Sequence, residues 1–247
     1  MMGSAPAWLT EVPYAHRGLH DPEGTRPENS LAAFEAAVEA GVGIELDVHL
    51  TADGHAVVTH DDDLERVTGR RLSVAGSPLV HIAALRLGAT DERIPTLPRV
   101  LDLVAGRVPV MVEIKNVRRE VGALEPAVAA ALDGRPGPVC VASFNPRTVG
   151  WFARYRPEVV RGQTSSSYAD VPAPYLARRF LASMTANRWT RPHFVSYELS
   201  ALPNAWCDRW RDRGGALVTW TVRSPQDVVK ARAVADTAIF EHVHVPW

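Results

Sequence analysis

Cysteine is nearly absent: among 247 residues only Cys140 and Cys207 occur, far apart and without the close spacing of a metal-binding pair. A disulfide framework is not expected, and Cys140, within the apolar run Pro138–Ser143, reads as a buried core thiol. No stretch approaches the roughly 18 apolar residues of a membrane span, so stable membrane insertion is not expected. An excess of one charge is missing too. Twenty-seven lysines and arginines face 28 aspartates and glutamates, for a net charge of −1. Nothing global favours nucleic acid or an acidic membrane, and an anionic substrate would need positive charge gathered locally. Residues Met1 to Trp8 hold neither a basic nor an apolar stretch of the kind that marks a secretory leader, which points to a cytoplasmic protein. No low-complexity tract, charge block or linker divides the chain, so a single domain over 1–247 is expected.

What is present is a 46% hydrophobic chain in which short apolar runs alternate with amphipathic segments, the signature of α/β architecture. The runs are Val12–Ala15, Gly43–His49, Ala56–Thr59, Val108–Ile114, Val139–Ser143, Val159–Gln163, Phe194–Tyr197, Leu217–Val222 and Ala238–His242. Helices are expected over Leu31–Ala40, Leu97–Val104, Glu125–Leu132, Thr148–Arg154, Pro174–Met184, Pro203–Asp212 and Pro225–Ala235. Ser30 suits a cap for the first of these and Gly41 its end, while Pro203 and Pro225 suit first-turn positions.

Nine strands are one too many for an eight-stave barrel. Only Thr51-Ala-Asp-Gly54 separates the second run from the third, whereas a parallel crossover needs about a dozen residues or more. These two runs therefore form an antiparallel hairpin, with Asp53-Gly54 as turn residues. Eight parallel staves remain, which implies a (β/α)8 TIM barrel with a short β-hairpin after strand 2. Folding the hairpin about Ala52–Gly54 brings His60 back level with Glu45 or Asp47.

Four polar fragments close or follow apolar runs: His16-Arg17-Gly18, Glu45-Leu-Asp47, His60-Asp61 and Glu113-Ile-Lys115. In a parallel barrel the C-terminal strand ends face one mouth, where active sites sit. Glu45 and Asp47, two apart in a strand, point to the same face. Two like charges among Ile44, Leu46 and Val48 cost several kcal/mol unless neutralised. A divalent cation would neutralise them, with Glu113 as a third ligand, and three oxygen donors suit Mg²⁺ or Ca²⁺. Pairing with Arg17 and Lys115 in a structural ion network would also do so, and the residues alone leave both readings open. His16 and His60 offer a general base and a general acid. Arg17 suits phosphate oxygens through its planar fork, and Lys115 adds a compact charge. Carboxylates for a metal, cations for phosphate and two histidines for proton transfer read as phosphoryl-ester chemistry.

The remaining features are weaker. His49 extends the alternation of its strand but reads as a hairpin residue. His20, His55, His81 and His193 fall in loops or turns. His242 and His244 alternate near the end, where a second metal site is a minor alternative to plain loop residues. Trp220, in the apolar run Val218–Val222, is core or an apolar wall beside a substrate. Ser143 reads as a mouth residue and Phe144 as packing.

These residues carry a resemblance to the glycerophosphodiester phosphodiesterase family. His16-Arg-Gly18, Pro27-Glu-Asn-Ser-Leu-Ala-Ala-Phe34, Gly43-Ile-Glu-Leu-Asp-Val48, Thr51-Ala-Asp-Gly54 and Val57-Val-Thr-His-Asp61 follow its N-terminal signature in order and spacing. Ile94-Pro-Thr-Leu97, Glu113-Ile-Lys115, Ser143-Phe144 and Trp220-Thr-Val222 resemble its later motifs. The resemblance implies hydrolysis of glycerophosphodiesters to an alcohol and sn-glycerol 3-phosphate. It implies a divalent metal on Glu45, Asp47 and Glu113, acid–base roles for His16 and His60, and substrate contacts from Arg17, Lys115 and Trp220. It further implies attack by a glycerol hydroxyl to give a cyclic phosphate that water opens, without assigning which histidine is the acid. Two positions depart: Arg223 stands where the family often has asparagine after its tryptophan motif, and Glu241 where it commonly has aspartate. The competing readings are a sphingomyelinase D-like lyase that stops at the cyclic phosphate, activity on a non-glycerol diester, and a non-catalytic binding barrel. No partner beyond a small-molecule substrate is implied.

Overall fold

In the computed structural model the described residues are 4–116, 121–135 and 137–246, so the first three residues of the Met1–Trp8 stretch lie outside them. The fold is a (β/α)8 barrel, with one additional strand outside the ring. The chain groups into two compact units: Tyr14–Val139, and Met1–Pro13 with Cys140–Trp247.

In the first unit, β1 (Tyr14–His16), β2 (Gly43–Leu50) and β4 (Val110–Ile114) run parallel, β2 lying between the other two. β3 (Ala56–Val58) folds back antiparallel on β2, pairing Val48 with Val58 and Leu50 with Ala56. The expected turn chemistry is present: Gly54 takes φ 88°, and Gly54 N–H donates to Thr51 O. Thr59 N–H donates to Asp47 O at 3.0 Å, so His60 returns level with the carboxylates of β2. α1 (Leu31–Glu39) is capped by Ser30, whose hydroxyl accepts from Ala33 N–H, and buries Ala33, Phe34 and Ala37. The 60–96 segment holds two single-turn helices, α2 (Glu65–Thr68) and α3 (Leu79–Ile82). They surround a small apolar cluster of Val57, Leu64, Val74, Ile82, Leu87 and Ile94. That cluster anchors the chain on both sides of His60. Val58 N–H also donates to Pro95 O, which ties the Ile94–Leu97 motif to the hairpin. α4 (Leu97–Val104) and α5 (Leu124–Leu132) complete the unit.

The second unit is a parallel run of β5 (Val139–Ser143), β6 (Val160–Ser165), β7 (Phe194–Glu198), β8 (Ala216–Val222) and β9 (Thr237–Phe240). Between them lie α6 (Pro146–Tyr155), α7 (Tyr175–Ala182), α8 (Asn187–Thr190), α9 (Ala205–Arg211) and α10 (Pro225–Val234). Its core gathers Val195, Tyr197, Leu202, Cys207, Trp210 and Leu217. Both cysteines are free and buried, as expected for Cys140; burial pushes the Cys207 thiol up to about 12.

Three expectations need correction. Pro203 does not open a helix: Asn204 caps α9 by accepting from Trp206 and Cys207 N–H, leaving Pro203 outside. The last strand stops at Phe240 rather than His242, because His242 adopts a left-handed φ of 54° that no strand continues. The first strand begins at Tyr14 rather than Val12, whose carbonyl instead accepts from the Thr237 hydroxyl.

Candidate active site

The site residues of the first unit are set by strand register. Alternation along β2 puts Glu45 and Asp47 on one face, and both are buried. Parallel pairing sets His16 beside Glu45 and Glu113 beside Asp47. Glu45, Asp47 and Glu113 each offer an oxygen within 4.8 Å of the others.

The cations lie against this cluster. Lys115 Nζ is 2.6 Å from Glu113 Oε1 and 2.9 Å from Asp47 Oδ1. The second contact is one of charge, since Asp47 Oδ1 accepts no well-directed hydrogen bond. Arg17 Nε is 3.3 Å from Asp47 Oδ2, and Arg17 N–H donates to Glu45 Oε2 at 3.1 Å. That backbone bond depends on the His-Arg-Gly motif turning sharply: Arg17 has φ 57° and Gly18 φ 81°. A Cβ on Gly18 would lie 2.9 Å from the Ala33 backbone, so only glycine allows α1 this close.

Three carboxylates thus face two cations, and the electrostatics follow. Burial acts to raise the Asp47 pKa, but Lys115 and then Arg17 outweigh it and hold the carboxyl below its usual range. Glu45 is pushed well above its usual range, first by burial, then by Asp47 and Glu113. The ion network left open by the sequence is therefore present, yet it leaves one negative charge uncompensated. A divalent cation fits that remainder: the donors are hard carboxylate oxygens, and a cation favours the ionised form of Glu45 that burial and its acidic neighbours oppose.

The second histidine is held by an acidic neighbour. His60 Nδ1 lies 2.7 Å from Asp61 Oδ1, while Asp61 Oδ2 accepts from Arg66 Nε at 2.6 Å. Arg66 forks onto both oxygens of Glu28 at 2.7 and 2.9 Å, and Glu28 accepts from Arg17 Nη1 at 2.9 Å. His60 and Arg17 are thus joined through Asp61, Arg66 and Glu28. His49 Nε2 meets His60 O at 2.9 Å, and burial holds the His49 pKa low. Asn29 Nδ2 donates to Asp47 Oδ2 at 3.0 Å. Glu28 and Asn29 fall inside the Pro-Glu-Asn-Ser motif, which by itself gives them no role, and Arg66 lies outside every motif of the sequence. The available signals were that motif and the His60-Asp61 dipeptide, since an adjacent carboxylate is a standard imidazole partner. Beside Lys115 opens a cavity of about 500 Å³, lined among others by His49, Asp62, Asn116 and Leu124.

Trp220 belongs to the second unit, near the end of β8. Its ring meets Phe144 edge-on at 5.5 Å, and Phe144 meets Tyr168 edge-on at 6.4 Å. The Trp220 indole N–H is buried without a hydrogen-bond acceptor. Ser143 is buried at the end of β5 and Phe144 packs as expected. The two departures meet each other: Arg223 Nε and Nη2 both lie 3.0 Å from Glu241 Oε2. His242 sits 3.3 Å from Glu241, whereas exposed His244 joins no cluster of potential ligands among the described residues.

Residues 16–243 match the Glycerophosphoryl diester phosphodiesterase family. A glycerophosphodiester phosphodiesterase of Bacillus altitudinis is 32% identical over 181 residues, covering 68% of this chain and 71% of that protein. One from Caldanaerobacter subterraneus subsp. tengcongensis is 44% identical over 110 residues, covering 41% and 44%. Among solved structures, an Oleispira antarctica phosphodiesterase in complex with the product sn-glycerol-3-phosphate superposes with a TM-score of 0.79 at 23% identity, covering 94% of each chain.

Proposed function

The chain belongs to the glycerophosphoryl diester phosphodiesterase family and is a phosphodiesterase, and we propose that it hydrolyses glycerophosphodiesters to an alcohol and sn-glycerol 3-phosphate with a divalent cation and the pair His16 and His60. The observation that carries this reading is the register of β1, β2 and β4. It sets three carboxylates and a histidine side by side on adjacent strands, with Arg17 and Lys115 in the residues that directly follow β1 and β4.

In this reading Glu45, Asp47 and Glu113 hold Mg²⁺ or Ca²⁺. When bound, that ion would supply positive charge against the phosphate and act as a Lewis acid. Arg17 and Lys115 draw the phosphate oxygens, Arg17 through the guanidinium edge that Glu28 leaves free. His60, with Nδ1 turned to Asp61, presents Nε2 for proton transfer, and His16, beside Glu45, is its counterpart. One takes the proton of the attacking hydroxyl and the other returns one to the departing alcohol oxygen. Trp220 supplies the apolar part of substrate binding. The family match runs through residues of both units, which supports one catalytic domain. Two free buried thiols suit the reducing cytoplasm.

The test is release of glycerol 3-phosphate from glycerophosphocholine and glycerophosphoethanolamine by chelator-stripped protein, before and after adding Mg²⁺ or Ca²⁺. Release restored by metal is expected. No release with either ion, or equal release without any, overturns the reading.

A further inference from the structure

One face of the second unit is built unlike the rest of the surface. Among the described residues eight large apolar side chains are exposed, and five of them fall between positions 171 and 189. Only Ala182 of α7 is buried, while Tyr175, Leu176 and Phe180 are 65%, 76% and 42% exposed and Trp189 of α8 is 68% exposed. Exposed apolar side chains gathered in one stretch of chain are a mark of interaction surfaces.

The α7–α8 part of this face is predominantly positive. Residues 166–193 contain Arg178, Arg179, Arg188 and Arg191 against a single acid, Asp170. α9 and the turn after it add Arg209 and Arg213 beside the half-buried Trp206, at the spacing of one helical face, with Asp208 and Asp212 on the opposite side. Two pockets of about 330 Å³ open on this surface, with Trp206 lining both. One is lined by Ser183, Thr185, Arg188, Trp206, Arg209 and Arg213 among others, and no carboxylate lines either pocket. Arg188, Arg209 and Arg213 form no ion pair with a carboxylate among the described residues. Asn187 Oδ1, buried at the same pocket, accepts no hydrogen bond.

We propose that the face formed by α7, α8 and α9 docks on anionic lipid bilayers. Lipid phosphate sits among Arg188, Arg209 and Arg213, and Tyr175, Leu176, Phe180 and Trp189 enter the boundary between headgroups and acyl chains. The composition suits that boundary: aromatic rings prefer the interface, aliphatic groups lie deeper, and guanidinium groups pair with phosphate. Asn187 Oδ1 suits a headgroup hydroxyl. A second copy of the chain is the poorer occupant, because a two-fold contact through this face would oppose its own arginines. This property goes beyond hydrolysis and stands or falls without it.

The experiment is co-sedimentation of the full chain with vesicles of phosphatidylcholine alone and of equal parts phosphatidylcholine and phosphatidylglycerol. Binding to the mixed vesicles only is expected, weakening with added salt. Each arginine near an anionic surface contributes about fivefold to partition, so joint Arg188→Ala, Arg209→Ala and Arg213→Ala substitution should weaken binding by roughly a hundredfold. Leu176→Asp with Phe180→Asp should abolish it. All these side chains lie outside the proposed catalytic machinery, so unchanged hydrolysis of a water-soluble diester and an unchanged Tm show that the variants are folded. Equal binding to both vesicles, no binding to either, or anionic binding that survives both sets of substitutions overturns the proposal. So does wild-type dimerisation that Leu176→Asp abolishes in place of vesicle binding.

Discussion

Replacing Glu45 by glutamine removes one of three clustered negative charges while keeping an oxygen that accepts the Arg17 N–H. In the metal-free protein that charge is a burden, because burial, Asp47 and Glu113 raise the Glu45 pKa well above its unfolded value. A carboxyl raised on folding contributes stability that is fully present below its unfolded pKa and is lost as pH climbs through the folded one. Each unit of the rise therefore costs about 1.4 kcal/mol once Glu45 is ionised. Metal-free Glu45→Gln should thus match or exceed metal-free wild type in Tm at alkaline pH, with a flatter decline as pH rises. Cation binding reverses the order. At about a hundredfold excess over its Kd, a ligand adds about 2.7 kcal/mol to wild type. For a chain of this size that is roughly 5–10 °C in Tm. The variant, one charged ligand short, should gain little. Calorimetric scans of chelator-treated protein with and without Mg²⁺ or Ca²⁺ decide the matter independently of turnover. Equal gains in both proteins, or none in wild type, would refute the assignment of Glu45 as a ligand.

His60→Ala should lower kcat by about 10²- to 10⁴-fold with little change in KM, as loss of a proton-transfer group does; an effect confined to KM removes it from that role. Asp61→Asn should lower kcat while sparing KM, with partial rescue by glutamate, because the amide no longer holds His60 Nδ1 as an anion does. Wild-type kcat in Asp61→Asn would show that His60 needs no acidic partner. Gly162→Ala tests the barrel wall: its Cβ would fall 2.3 Å from the Phe194 ring. Overpacking of this kind costs about 1–3 kcal/mol, a Tm loss of roughly 2–12 °C read by thermal melt.

How far the sequence reveals this molecule depends on the range over which each feature is decided. Strand positions and the hairpin follow from local alternation and a four-residue gap, and β5 and α4 begin and end where the residues predict. The inward face of Glu45 and Asp47 follows from the same two-residue period. Elements of one turn, such as α2, α3 and α8, carry too few residues to show any period. The start of α9 is set by the side-chain acceptor of Asn204, a signal the sequence reading passes over in favour of the fixed φ of Pro203.

The hidden part of the site is non-local. Arg66 and Glu28 lie 38 positions apart, one on a single-turn helix and the other in a loop, and their fork exists only once the hairpin and its apolar cluster have placed them. The same holds for the departures at Arg223 and Glu241. Taken singly, each alters a strand end and puts the alcohol side of the site in question. Across adjacent strands they form one ion pair, which lies on the surface at Arg223 and half-buried at Glu241. Glu241 keeps the charge of the aspartate it replaces and Arg223 adds a positive one where asparagine is neutral, so the pair makes this strand end one unit more positive and binds the added guanidinium to the acid beside it.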